Sequence, residues 1–172
     1  MEKLYDSHLM VWALLEAKQC HAFVTAMSTS PSPLLGLWSV RQFDRVDPPI
    51  IVLIIDDDPV GAEALAAVLT GEGFRTLVLA EGSAVFNAPS AWTPHVVVLD
   101  IEMPISDGFS VALSMRGSVR FARTPIIAYS SLAEAEVIAR GKEAEIDAFC
   151  RKGHSPRSLI ALIEHVAPLG LS

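Results

Sequence analysis

One stretch constrains this chain more than any other. Ile50-Ile51-Val52-Leu53-Ile54-Ile55 is apolar at every position and ends abruptly in Asp56-Asp57-Asp58. Successive side chains of a strand point to opposite faces, so a run apolar throughout fits a strand buried on both sides, in the middle of a parallel sheet. Similar runs follow at residues 74–79, His95-Val96-Val97-Val98-Leu99, Pro125-Ile126-Ile127-Ala128-Tyr129 and, shorter, residues 146–150. Helical stretches separate them. Residues 60–70 are rich in Ala and Leu and close at Gly71-Glu72-Gly73, where glycine takes the left-handed helix-ending conformation. Residues 83–91, with Pro89 among them, form a short helix, and residues 109–117 and 133–142 form two more. Ser155-Pro156 opens a last helix to about Val166, with Ser as N-cap and Pro at the first helical position. Five βα units in a row predict an α/β domain, a doubly wound parallel sheet covered by helices on both faces.

The chain ahead of the first strand has a different grammar. Residues 1–27 are apolar nearly all round a helical wheel, and Ser28-Thr29-Ser30-Pro31-Ser32-Pro33 reads as linker. Residues 34–46 show no clean period, and Pro48-Pro49 stops any element that reaches it. The expected division is therefore an N-terminal extension and linker over 1–49, helical, irregular or disordered, and a domain over 50–172. Trp12 and Trp38 are expected to bury against that domain or a second copy.

Composition excludes several function classes. Thirteen Lys+Arg against twenty Asp+Glu give a net charge of −7, which argues against a phosphate-backbone binder, so no direct nucleic-acid partner is expected. Cys20 and Cys150 lie far apart without metal-ligand spacing, the usage of a reducing compartment. The apolar run of residues 9–15 falls short of the roughly 20 residues a membrane span needs, and Glu2 and Asp6 are the wrong sign for a secretory leader. A cytoplasmic protein without a membrane partner is expected.

In a doubly wound sheet, ligands sit beyond the carboxyl ends of the strands. Those ends deliver Asp56-Asp57-Asp58, then Asp100, then Ser130-Ser131, then Lys152. Carboxylates that close together repel unless a cation joins them, and hard oxygen donors favour Mg²⁺, which bridges readily to phosphate oxygens. A phosphoryl group on one carboxylate would be neutralised by metal, lysine and hydroxyl together. Each piece also has a plainer reading: an acidic triplet can cap a helix, Asp100 can cap a turn, Ser130 can close a strand, Phe149 can be core, and Lys152 can be a solvated lysine.

Taken together, these residues resemble the response regulator receiver domain of two-component signalling. Ile54-Ile55-Asp56-Asp57-Asp58-Pro59 is similar to that family's first strand and acidic pair. Val98-Leu99-Asp100-Ile101-Glu102-Met103-Pro104 with Asp107-Gly108 is similar to its phosphoacceptor strand and loop. Residues 125–131 resemble the strand bearing the switch hydroxyl, and Phe149-Cys150-Arg151-Lys152 followed by Ser155-Pro156-Arg157 resembles the switch aromatic, the lysine and the last helix.

The resemblance implies a flavodoxin-like (βα)5 sheet in strand order 2-1-3-4-5. It implies that Asp100 is the phosphoacceptor, that Asp57 and Asp100 ligate Mg²⁺, that Asp56 acts through a bound water, and that the backbone carbonyl of Glu102 completes the ligands. Lys152 would pair with the phosphoryl group, Ser130 would move to donate to it, and Phe149 would turn inward as Ser130 moves. That turn remodels the surface of the fourth helix, fifth strand and fifth helix. The implied partners are a sensor histidine kinase or phosphotransfer protein and a downstream protein target. No DNA-binding output domain is expected, since six residues follow Val166 and the first 49 are neither basic nor long enough to suggest one. The mixed charges Glu134, Glu136, Arg140 and Lys142 are either a solvated face or one that pairs across a homodimer.

The sequence departs from the family in four places. Gly153 stands where a proline in a cis peptide usually follows the lysine, and Ser130 and Ser131 replace threonine and alanine. Glu102 adds a carboxylate beside the metal, and Glu145-Ile146-Asp147 replaces a Gly-Ala pair. Two other readings stay open. Asp56 and Asp58 also resemble the nucleophile and general acid of haloacid-dehalogenase-type phosphatases, and a receiver-like interaction domain could act without phosphorylation.

Overall fold

The apolar run forms the central strand. In the computed structural model, which describes residues 36–87, 93–104 and 107–170, β1 (Ile51–Ile55) pairs in parallel with β2 (Arg75–Leu79) and β3 (Val96–Asp100). β4 (Ile126–Ser130) and β5 (Ala148–Arg151) extend the sheet, also in parallel, giving the order β2-β1-β3-β4-β5. Alternation along β1 sends Leu53 and Ile55 into one core with Val97, Leu99, Ala128 and Phe149. Val52 and Ile54 enter the other with Val96, Val98 and Leu162. The sheet is thus buried on both faces, as the unbroken apolar run requires.

The helices are α1 (Pro59–Gly71), α2 (Gly108–Arg116), α3 (Glu134–Glu143) and α4 (Pro156–Val166). Asp58 caps α1, its carboxylate accepting from Val60 N at 3.1 Å. Ser155 caps α4, accepting from Arg157 N with Pro156 at the first position. The helix expected over 83–91 is instead a 3₁₀ helix, Gly82–Asn87, with Val85 in the core. Residues 88–92 lie outside the described part.

Described residues ahead of β1, expected to belong to the N-terminal extension, make contacts along the domain. Leu37 forms an antiparallel bridge to Ala148 at the outer edge of β5, and Val46 a parallel bridge to Leu169. Trp38 stacks on Phe149, with ring centroids 5.6 Å apart and planes at 8°, while Phe43 meets His165 edge to face. Trp38 therefore buries against the domain as expected; Trp12 and Cys20 fall outside the described residues. The segment showed no period because it lies extended against the domain's edge, fixed by a few anchors rather than by one regular face.

Beneath it, Asp147 is 2% exposed and accepts from Arg116 Nη2 at 2.9 Å and Ile126 N at 2.9 Å, with Arg41 Nε 2.7 Å away. The mixed charges of α3 also have local partners. The Glu134 carboxylate accepts from Trp38 Nε1 at 2.7 Å, Glu136 caps its own helix by accepting from Ala133 N, and Arg140 pairs with Asp107 over the Phe109 ring. Three of the four charges offered for a homodimer are thus engaged within the chain. Among the described residues, no helix is long and apolar enough to cross a membrane.

Candidate functional site

The strands end where the chemistry collects. Parallel pairing aligns the carboxyl ends of β1, β3 and β4, so Asp56, Asp100 and Ser130 emerge at one rim. Asp56 and Asp100 are each 4% exposed, while Asp57 is exposed. One oxygen from each of Asp56, Asp57 and Asp100 lies within 4.8 Å of the others. Asp58 does not join them, because it caps α1. The plain capping reading of the acidic triplet therefore holds for its last residue, while the first two lie beside Asp100 at the rim.

Lys152 closes the cluster. Its backbone N–H donates to Ser130 O at 2.8 Å, and its ammonium donates to Asp56 Oδ2 at 2.8 Å and Asp100 Oδ2 at 2.9 Å. The turn that follows takes a left-handed conformation at Gly153, φ 82°, where the family usually has its proline. The lysine so reaches both carboxylates. Burial pushes the Asp100 carboxyl above the usual carboxylate range, against the Glu102 N–H bond and the Lys152 ammonium that pull it down. Burial also works against the ammonium. The hydrogen bonds and charges of Asp56 and Asp100 together outweigh it and leave Lys152 above its ordinary value.

Ser130 is fully buried, and its hydroxyl donates to Glu102 Oε2 at 3.0 Å while accepting from Leu132 N at 3.1 Å. The same carboxylate oxygen accepts from Ser131 N at 3.0 Å and from the Ser131 hydroxyl. The Ser131 hydroxyl bond, joined by Ser130 and the Ser131 N–H, holds the Glu102 carboxyl below its usual range in spite of some burial. The sequence had placed this carboxylate beside the metal and used only its backbone carbonyl. The side chain lies on the two hydroxyls. Phe149, 6% exposed, lies beneath Trp38. Cys150 is buried and its thiol is pushed up to about 11 by burial, which leaves it unreactive.

Residues 52–164 match the response regulator receiver domain. The chain belongs to this family. The DNA-binding response regulator MtrA of Mycolicibacterium smegmatis is 32% identical over 112 residues, 65% of this chain and 48% of that one. The transcriptional regulatory protein GltR of Pseudomonas aeruginosa is 30% identical over 113 residues, 66% and 47% of the two chains. Among solved structures, the chemotaxis protein CheY4 of Vibrio cholerae superimposes with a TM-score of 0.64 at 21% identity, covering 68% of this chain and 98% of that one. The receiver domain of the sensor histidine kinase PA1611 from Pseudomonas aeruginosa, solved with a magnesium ion in its active-site cleft, gives 0.61 at 22%, covering 67% and 94%. These two likenesses show the fold.

The receiver spans about half the length of the curated relatives it matches. Because those relatives include regulators named for DNA binding, the expectation of no DNA-binding output domain has no support here. A receiver is generally a signalling domain, and the cluster of Asp56, Asp57 and Asp100 is compatible with Mg²⁺. Hard carboxylate oxygens at one rim suit that ion, which is held by one or two of them and keeps several waters.

Proposed function

We propose that this receiver accepts a phosphoryl group on Asp100 from the phosphohistidine of a sensor kinase or phosphotransfer protein, and passes the state on to a protein target through its α3/β5/α4 surface. What supports the reading is one juxtaposition: a buried carboxylate, Asp100, held 2.9 Å from the Lys152 ammonium at a rim that also carries the Ser130 hydroxyl. A carboxylate oxygen of Asp100 attacks phosphorus. The new P–O bond forms as the donor's P–N bond breaks, with its electron pair returning to the imidazole nitrogen. Asp56, Asp57, Asp100 and the backbone carbonyl of Glu102 would hold Mg²⁺, which when bound neutralises charge on the phosphoryl oxygens. Lys152 keeps its ammonium at the site and balances the added negative charge. The Ser130 hydroxyl leaves Glu102 and donates to the phosphoryl group.

The phosphatase alternative built on Asp56 and Asp58 is less favoured, since the Asp58 carboxylate caps α1 and stands outside the cluster of Asp56, Asp57 and Asp100. Intact mass after incubation with acetyl phosphate and Mg²⁺ tests the leading reading. One phosphoryl adduct is expected on the native chain and none on Asp100→Asn or in EDTA. An adduct that survives in Asp100→Asn, or none on the native chain, overturns it.

Glu102 sets a second expectation. Phosphorylation must take the Ser130 proton away from a carboxylate, and adds a like charge beside it. Glu102→Gln should therefore speed labelling and prolong the adduct, by roughly fivefold, because the charge-assisted bond is lost from an exposed group. A time course of the adduct after removal of acetyl phosphate checks this, and an unchanged or shortened lifetime contradicts it.

A further inference from the structure

We propose that residues 36–39 are a built-in ligand of the β5 edge, seated while Asp100 is unmodified and released when it is phosphorylated. The inference rests on the phosphoacceptor reading and extends it to the surface that the site controls.

β5 is an edge strand, and an edge strand offers unpaired backbone groups to any extended segment. Here the chain's own segment takes them. Phe149 N donates to Gly36 O at 2.6 Å, and Trp38 N and Ser39 N donate to Asp147 O at 2.8 and 2.9 Å. Two glycines make the seat. Gly36 has φ 93° and touches the Phe149 carbonyl where a Cβ would collide, and Gly141 on α3 leaves the space that the Trp38 indole fills. The indole is fixed on three sides, by the Phe149 ring, by Gly141 and by the Glu134 carboxylate.

The seat is wired to the site through one face of the sheet. Ala128 pairs with Phe149 and Ser130 with Arg151, so Ser130 and Phe149 lie on the same face as diagonal neighbours. When the Ser130 hydroxyl leaves Glu102 for a phosphoryl group, space opens beside the Phe149 ring. A ring that moves into it withdraws the stacking surface from Trp38. The rest of the segment has independent anchors, Arg41 on Asp147 and Val46 N on Pro168 O at 2.9 Å. Residues 36–39, a short arm, therefore come away from the edge while 41–46 stay in place. The vacated surface is a bare strand edge beside an aromatic slot between α3 and β5.

Coupling of this kind is reciprocal: whatever phosphorylation does to the arm, loss of the arm does to the phosphorylated state. The experiment is amide hydrogen exchange on the full chain with and without beryllofluoride and Mg²⁺, together with the affinity for beryllofluoride in native chain, Trp38→Ala and Gly141→Ala. Exchange at Trp38, Ser39 and Phe149 is expected to rise roughly tenfold or more while Val46 is unchanged. The variants are expected to bind at least about fivefold more tightly. Gly141→Ala carries the test if Trp38→Ala does not fold, because it crowds the indole from the helix side. Acetyl phosphate labelling is run alongside. If the adduct forms while those amides and affinities stay unchanged, the arm is a fixed structural element and this inference alone is overturned. If no adduct forms on the native chain, the phosphoacceptor reading fails and the inference falls with it.

Discussion

Asp147→Ala should lower the stability of the receiver by about 4 kcal/mol, roughly 10 °C in melting temperature. The carboxylate is 2% exposed and is the meeting point of three chain segments. Arg116 reaches it from α2, Arg41 from the N-terminal segment, and the Ile126 N–H from the start of β4. Arg116, with only 8% of its side chain exposed, is the costly partner to abandon. Burial pulls its guanidinium below the ordinary value, and the Asp147 charge is the main influence opposing this. Without the carboxylate, Arg116 keeps carbonyl acceptors at Thr124 and Glu145 but has an uncompensated charge in a poorly hydrated place. Asp147→Asn retains an acceptor for Ile126 N and should lose about half as much. Arg41→Ala removes a guanidinium that is one-third exposed and should cost about 1 kcal/mol. Thermal or urea unfolding of the three variants gives the order directly. A loss below about 1 kcal/mol for Asp147→Ala would mean that the cluster is not the anchor described here.

Asp147 also shows where sequence reading stopped. Glu145-Ile146-Asp147 stood out as a departure from the family, yet nothing along the chain says that Arg41 and Arg116, 106 and 31 residues away, converge on it. Long-range ion pairs leave no local pattern. The strands were legible for the opposite reason: a run apolar at every position has one structural solution, and β1 follows it within a residue. Ser155-Pro156 likewise specified the start of α4 because capping and proline geometry are local. Asp56, Asp100 and Lys152 could be placed together because strand ends in a parallel sheet share one rim. The Glu102 side chain could not, since its partners Ser130 and Ser131 lie 28 and 29 residues on, and only the fold brings β3 and β4 side by side. The seat of residues 36–46 was legible only in Trp38, whose indole had to bury somewhere, because their anchors to Asp147, Phe149 and Pro168 are long-range backbone bonds that leave no local pattern.

Lys152→Met should destabilise the metal-free receiver by about 3 kcal/mol near neutral pH, and the loss should shrink in acid. The side chain is 27% exposed, but the carboxylates it bridges, Asp56 and Asp100, are nearly inaccessible. Removing the ammonium leaves three acidic groups with no cation among them. The sign of the pH dependence follows from the two shifts. In the native chain the raised Lys152 value contributes stability at every pH below the ordinary lysine range, and that contribution fades only as pH rises through the folded value. Asp100 is already raised by burial, and without the Lys152 interactions that oppose the rise it goes higher still. A carboxyl raised in the folded state binds protons more tightly there than in the unfolded chain, so falling pH stabilises the fold. Unfolding in EDTA between about pH 7 and about pH 5 should thus show the gap between Lys152→Met and the native chain narrowing in acid. Adding Mg²⁺ near neutral pH should narrow it as well, because a cation at the carboxylates substitutes for the missing charge. A gap that is constant across that range and indifferent to Mg²⁺ would mean that Lys152 stabilises the rim by packing alone, and that the three carboxylates do not repel one another enough to need a cation.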